Sequence, residues 1–217
     1  MPKIKISPSI LSANQEKINE EIKEVEPYSD LIHVDIMDNK FVPNITPQSE
    51  YLKKLDTKIP LDIHLMVEDP SNEYIQSFID ANPNLIINNI TVHQETCSNL
   101  KKTLEYIKSQ GIKPGVSIKP KTSLDAIKDV LDIAEFFIIM TVEPGFSGQK
   151  FIEEALPKFE ELRKLKPDAD IEVDGGVKAE NVSLAVKAGA NVLVASSFIF
   201  GSDDKVTAIK QLLDNAK

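Results

Sequence analysis

The chain has 217 residues, 41% of them hydrophobic, and a formal net charge of −9. That length and apolar content suit a single soluble domain with a sizeable core, and the acidic balance excludes the basic footprint of a nucleic-acid binder. Cys97, the one cysteine, rules out a disulfide framework and a cysteine-based zinc site. The N-terminus alternates lysine and isoleucine without the apolar centre of a signal peptide. No apolar run is long enough to span a bilayer, and no lysine-rich amphipathic segment points to a membrane surface. The expectation is a cytoplasmic protein with neither nucleic acid nor membrane as a partner. Its net charge repels an anionic substrate at long range, so a phosphate site must rely on local backbone donors.

In chain order, strand-like and helix-like runs alternate throughout. Residues 3–7 read as a strand and 14–26 as an amphipathic helix, followed by a strand at 31–37 and a helix at 47–56. The pattern continues with strands at 61–66 and 85–93, each followed by a helix, at 71–81 and 98–110. Strands at 113–118, 135–142, 170–174 and 191–196 alternate with helices at 123–132, 151–165, 178–188 and 203–215. Strict alternation predicts a parallel sheet. Eight β/α units without a linker predict one (β/α)8 TIM barrel of the α/β class over residues 1–217, with an open doubly wound sheet as the alternative. Pro27, Pro70, Pro83, Pro114 and Pro167 fall near element boundaries, where proline is tolerated. Asn88 and Asn89 interrupt the fourth strand-like run.

A strand turns its side chains to alternate faces. His33, Asp35 and Met37 therefore share a face, as do His64 and Met66, and Asp174 closes a third strand. In a barrel, functional residues gather at the C-terminal strand ends, where all of these lie. Two imidazoles and two carboxylates, His33, Asp35, His64 and Asp174, suit one divalent ion of Zn, Fe, Mn or Co better than Mg or Ca. The plainer alternative is a set of separate hydrogen-bonded residues in a barrel mouth. Asp62 and Glu172 have the same parity as His64 and Asp174 but lie one residue pair deeper, where they are expected to pair with inward polar groups. His93 is also near a strand end but has no second ligand close by, so a structural or supporting role is expected.

Phosphate candidates follow the last three strands. Gly145, Phe146, Ser147 and Gly148 come after strand six, Gly175 and Gly176 after strand seven, and Ser196 and Ser197 after strand eight. Glycines let backbone N–H groups approach an anion, and helix N-termini add a favourable dipole. The 144–149 loop also has the glycines of a closing segment. Beyond Met1, the methionines are Met37, Met66 and Met140, all at strand ends. They read either as adaptable core filling or as a water-poor floor beneath the reacting groups.

These residues resemble the ribulose-phosphate 3-epimerase family. The likeness runs through Ser7-Pro8-Ser9-Ile10-Leu11-Ser12, Ile32-His33-Val34-Asp35-Ile36-Met37-Asp38, Phe41-Val42-Pro43-Asn44-Ile45-Thr46 and Pro60-Leu61-Asp62-Ile63-His64-Leu65-Met66. It continues through Met140-Thr141-Val142-Glu143-Pro144-Gly145-Phe146, Gly148-Gln149-Lys150-Phe151 and Glu172-Val173-Asp174-Gly175-Gly176. The resemblance implies a (β/α)8 barrel that interconverts D-ribulose 5-phosphate and D-xylulose 5-phosphate in the pentose phosphate pathway. It implies that His33, Asp35, His64 and Asp174 hold a divalent metal and that Asp35 and Asp174 are the acid/base pair. Ser9 would touch the sugar, and the glycine and serine clusters would hold the substrate backbone and phosphate. A homo-oligomer is also implied.

The chain departs from the family pattern at several points. Asn39-Lys40 stands where Gly-His is common, Lys119 precedes Pro120 where asparagine is usual, and Ser196 replaces a glycine. The Ser196 side chain either crowds the phosphate or, as favoured here, donates a hydrogen bond to it.

Epimerisation beside a ketone removes a weakly acidic C–H proton, giving an enediolate that a metal stabilises as a Lewis acid. One aspartate takes the proton and the other returns one to the opposite face. Three rival readings remain. A 3-epimerase of a six-carbon ketose phosphate such as D-allulose 6-phosphate would use the same groups. A catalytically inactive phosphosugar-binding barrel would not need the complete quartet. A decarboxylase with an Asp-x-Lys-x-x-Asp array is disfavoured, because Pro43 occupies the final position of that array after Asp38 and Lys40.

Overall fold

The computed structural model describes residues 2–217. Eight parallel strands, β1 (Lys5–Pro8), β2 (Ile32–Met37), β3 (Leu61–Met66), β4 (Ile87–His93), β5 (Lys113–Ile118), β6 (Phe136–Met140), β7 (Asp170–Asp174) and β8 (Val192–Ala195), form one sheet. Its order is β1-β8-β7-β6-β5-β4-β3-β2. The two end strands meet where Asp30 and Leu31 donate their N–H groups to Ile6 O at 2.9 and 3.1 Å and where Ser9 bridges His33 in parallel. The molecule is a (β/α)8 TIM barrel.

The helices are α1 (Ile18–Val25), α2 (Asn72–Ile79), α3 (Leu100–Ser109), α4 (Leu156–Leu165), α5 (Val182–Ala188), α6 (Ser197–Phe200) and α7 (Lys205–Asn215). Helical spacing sets the buried faces of the longer ones: Ile18, Ile22 and Val25 on α1, and Leu100, Leu104 and Ile107 on α3, are all buried. Ser71, Asn99 and Asp204 cap α2, α3 and α7 by accepting from Tyr74, Lys102 and Thr207 N–H groups, which fixes where those helices begin. Among the described residues, no helix is long and apolar enough to cross a membrane.

Two expected helices are 3₁₀ segments instead, at Ser49–Lys54 and Leu124–Val130. In the second, the buried residues are Leu124, Ile127 and Val130. A spacing of three matches the three residues per turn of a 3₁₀ helix, not the 3.6 of an α-helix. The first is short, burying only Tyr51 and Leu52. The expected helices at 14–26 and 178–188 also start late, at Ile18 and Val182. The interruption in strand four is a bulge: Leu61 pairs with Ile87 but Asp62 pairs with Asn89, leaving Asn88 as the extra residue.

Strand alternation divides the core. Outward residues such as Ile32, Val34, Ile63, Leu65, Phe137, Ile139 and Val173 join the main cluster with the helices. Inside the barrel, one side is apolar, with Leu31, Phe136, Ile138, Met140 and Val192 packed together. The polar side holds Ser7, His33, Asp62, His64, Asn89, Thr91, His93 and Glu172, all fully buried. Polar groups in such a place need internal partners, and those partners shape the site above them.

Candidate active site

Four side chains from β2, β3 and β7 converge at the C-terminal mouth. His33 Nε2 lies 3.2 Å from Asp35 Oδ1 and 3.8 Å from Asp174 Oδ2. His64 Nδ1 lies 3.3 Å from Asp174 Oδ2 and 3.7 Å from Asp35 Oδ1. Ligands at about 2.0–2.1 Å from a tetrahedral ion are separated by about 3.3 Å, so this spacing suits a common cation. His64 Nδ1 is buried and has no hydrogen-bond partner. An orphaned imidazole nitrogen facing two carboxylates is costly unless a cation or proton occupies the gap. The buried cluster can hold a metal ion.

The layer beneath orients these groups. His33 Nδ1 meets Asp62 Oδ2 at 2.7 Å, and Asp62 also accepts from Ser7 Oγ at 3.1 Å and Asn89 Nδ2 at 2.6 Å. Burial favours the neutral acid at Asp62, but His33, together with hydrogen bonds from Glu172 and Asn89, outweighs it and holds the carboxyl pKa at about 2. Glu172 is pushed well above the usual carboxylate range by burial and by neighbouring Asp62. Burial likewise opposes charge on Asp35, yet His33 and His64 hold it far below its ordinary value. Ser9 Oγ donates to Asp35 Oδ2 at 2.6 Å, leaving Oδ1 toward the histidines. His93 Nε2 lies 2.9 Å from His64 Nε2, and burial lowers the His93 pKa to about 4.

Above the cluster, one cleft is lined by Ser9, Asp35, Asp174, Met37, Met66 and Met140, together with Gly145, Phe146, Ser147, Gly148, Gly175, Gly176, Ser196 and Ser197. His33 and His64 sit below its surface, fully buried. Of the expected site residues, Phe146 is 52% exposed, and Ser147, Gly148 and Ser197 are exposed as well. Gly175 and Gly176 cannot be replaced cheaply. Both have left-handed φ, 118° and 66°, and a Cβ would stand 2.4 Å from Val142 Cγ2 or 2.8 Å from Gln149 O and Phe151 N. Thr141 closes this turn by donating its hydroxyl to Gly175 O at 2.6 Å. Asn39 adopts φ 58°, a conformation asparagine tolerates better than most residues.

The Ser196 hydroxyl has partners within the protein. It donates to Ser9 O at 2.9 Å or Ser12 Oγ at 2.8 Å, and accepts from Ser12 N at 3.0 Å. It ties the end of β8 to the turn carrying Ser9 through that turn's backbone and the Ser12 hydroxyl.

The comparisons with known proteins agree with this geometry. A profile of the ribulose-phosphate 3 epimerase family matches residues 5–200. The ribulose-phosphate 3-epimerase of Bacillus subtilis (strain 168) is 44% identical, over 96% of this chain and 98% of that protein. That of Methanocaldococcus jannaschii is 45% identical, over 98% of this chain and 91% of that one. The chain belongs to the ribulose-phosphate 3-epimerase family. It is an enzyme, an epimerase. The solved structure of 3-hexulose-6-phosphate synthase from Salmonella typhimurium superposes with a TM-score of 0.74 over 98% of each chain, at 16% identity. At that identity the likeness concerns the barrel alone.

The epimerase cleft also includes residues outside the expected site set, some of them within the family motifs. Leu11, Val142, Gln149, Val177, Lys178, Val194 and Ala195 line it. Gln149 braces the loop after β6, donating to Glu143 O at 2.6 Å and Phe146 O at 2.9 Å. Asn44 Nδ2 reaches across to Gly145 O at 2.6 Å, joining the loops after β2 and β6. The only sequence signal for such contacts is position just beyond a strand end.

Proposed function

We propose that this epimerase interconverts D-ribulose 5-phosphate and D-xylulose 5-phosphate, with Asp35 and Asp174 moving the C3 proton. The observation that supports this most directly is the convergence of two carboxylates, from strands separated by β8 and β1, on two buried histidines. Asp35 accepts the proton from one face of the substrate and Asp174 delivers one to the other, or the reverse, so the centre inverts. Ser9 holds Asp35 by one oxygen, limiting its rotation and keeping the other directed inward.

His33, Asp35, His64 and Asp174 would hold one divalent ion, and their mixed nitrogen and oxygen donors favour Zn, Fe, Mn or Co. When bound, such an ion supplies Lewis-acid stabilisation of the negative charge that develops on the substrate's ketone and adjacent hydroxyl oxygens. Met37, Met66 and Met140 keep water from the base of the cleft, which strengthens electrostatic interactions there. Gly145 to Gly148, Gly175, Gly176, Ser196 and Ser197 receive the substrate backbone and phosphate. Ser197 opens α6, whose first N–H groups lack a carbonyl one turn back.

A coupled assay with ribulose 5-phosphate, before and after chelation, tests the reading. Several kcal/mol of lost stabilisation corresponds to a fall of about 100-fold or more, restored by adding one of the four ions. Full turnover in metal-free protein would refute the metal's role, and no turnover of ribulose 5-phosphate in loaded protein would refute the substrate.

Ser196→Gly is expected to act through the turn at residues 9–12. It leaves Ser12 N and Ser9 O short of a partner, costing about 1–3 kcal/mol where they stay dry. The unfolding midpoint should fall and KM should rise, with kcat changing less because the phosphate is remote from the reacting carbon. An unchanged unfolding midpoint would show that the hydroxyl does not brace this turn.

A further inference from the structure

The two histidines of the cluster are supported in different ways. His33 meets a carboxylate directly, through Asp62 at 2.7 Å. On its outer side, at Nε2, His64 meets another imidazole, His93, and that ring in turn reaches a carboxylate, Glu95 Oε2, at 3.1 Å from Nδ1. Glu95 is anchored in turn: its Oε1 accepts from Lys119 N at 2.7 Å and from the Thr122 hydroxyl, both in the loop after β5. The Phe41 ring covers His93, with centroids 4.8 Å apart, and Lys119 Nζ lies 4.1 Å from the Phe41 centroid.

We infer that His93 and Glu95 are positioning residues for the metal centre: together they fix His64 in the tautomer that presents the Nδ1 lone pair to the cation. The inference rests on the metal reading above. Its logic is a count of protons along the chain. Glu95 has only acceptors to offer, so His93 Nδ1 carries the hydrogen between them. The Nε2 of a neutral His93 is then bare and can only accept. The two Nε2 atoms, 2.9 Å apart, need one hydrogen between them, and it must come from His64. A neutral His64 protonated at Nε2 is bare at Nδ1, the buried atom that lacks a partner and faces Asp35 and Asp174. Outer hydrogen bonds of this kind set ring orientation and ligand basicity in metal sites. Here the terminal carboxylate lies one ring farther out, in the loop after β4, and is held by the loop after β5.

Two substitutions at position 93 separate this role from simple packing. His93→Phe keeps a ring against Phe41 and His64 but cannot accept a hydrogen bond. His93→Gln loses the ring, yet its amide oxygen can accept from His64 Nε2. The whole protein is stripped by chelation and titrated with Zn2+ against a chromophoric competitor, and the Co2+ form is examined by visible absorption. Positioning predicts that His93→Phe weakens Zn2+ binding by about 10–100-fold and alters the Co2+ spectrum. His93→Gln should recover most of both even if its metal-free form melts earlier. Glu95→Ala should weaken Zn2+ binding in the same direction.

Wild-type affinity and spectrum in His93→Phe, or weaker binding by His93→Gln than by His93→Phe, would overturn the inference. If His93→Phe does not fold, Glu95→Ala decides, and unchanged affinity there overturns it. If the wild-type protein itself takes up neither Zn2+ nor Co2+, the metal reading fails first and the inference goes with it.

Discussion

Asparagine at position 35 or 174 is expected to reduce epimerisation by about 10²–10⁴-fold, the usual contribution of one positioned acid/base group, with the barrel intact. The substitution is nearly isosteric. At position 174 the turn is held through the backbone, because Thr141 N and Oγ1 donate to Asp174 O at 2.8 and 3.1 Å. At position 35 an amide oxygen can still accept from Ser9 Oγ. An amide can neither take nor return the proton, so inversion slows by that factor.

The surviving carboxylate gives the two variants distinct signatures. Each should still exchange the C3 proton with solvent deuterium from its own face. One variant should therefore label ribulose 5-phosphate and the other xylulose 5-phosphate, with little conversion between them. Mass spectrometry of substrate recovered from D2O reads this directly. Near-normal epimerisation by either variant would overturn the assignment of two proton carriers.

Strand periodicity makes much of this architecture legible from the residues alone. His33 and Asp35 are two apart on β2, so they must share a face, and a buried parallel strand has only the barrel interior to receive polar groups. His64 and Asp174 follow by the same parity. What escaped has a physical explanation in each case. The segment with Leu124, Ile127 and Val130 fits a loose helical pattern, and only its strict spacing of three marks it as 3₁₀. Four-residue α6 is too short to show periodicity. The Asn88 bulge depends on register with β3, which no single strand specifies. The Ser196 hydroxyl finds its partners 184 and 187 residues away, at Ser12 and Ser9. Glu95, two residues on, meets His93 Nδ1, but the contact that ties His93 to the site is with His64, 29 residues earlier, and only the barrel brings those two rings together.

The two histidines should fail differently when removed. His33→Ala and His64→Ala are each expected to weaken metal binding by at least about 100-fold, beyond the roughly 10–100-fold typical of losing an outer partner, and activity should fall with it. Each substitution opens one corner of a four-residue site whose remaining donors are fixed on strands and cannot close the gap. Their effects on the metal-free fold should diverge. His33 also serves Asp62 and lies 3.5 Å from Glu172, both fully buried. Removing it leaves a buried carboxylate short of a partner, at a cost of about 2–5 kcal/mol. His64→Ala strands the neutral Nε2 of His93 and takes one imidazole from Asp35 and Asp174, but both carboxylates keep His33, so the loss is smaller. Elemental analysis, turnover and denaturant unfolding of the stripped proteins measure all three effects. Full metal content with wild-type turnover in either variant would refute the ligand assignment. Equal destabilisation of the two stripped variants would refute the distinct role given to the His33–Asp62 contact.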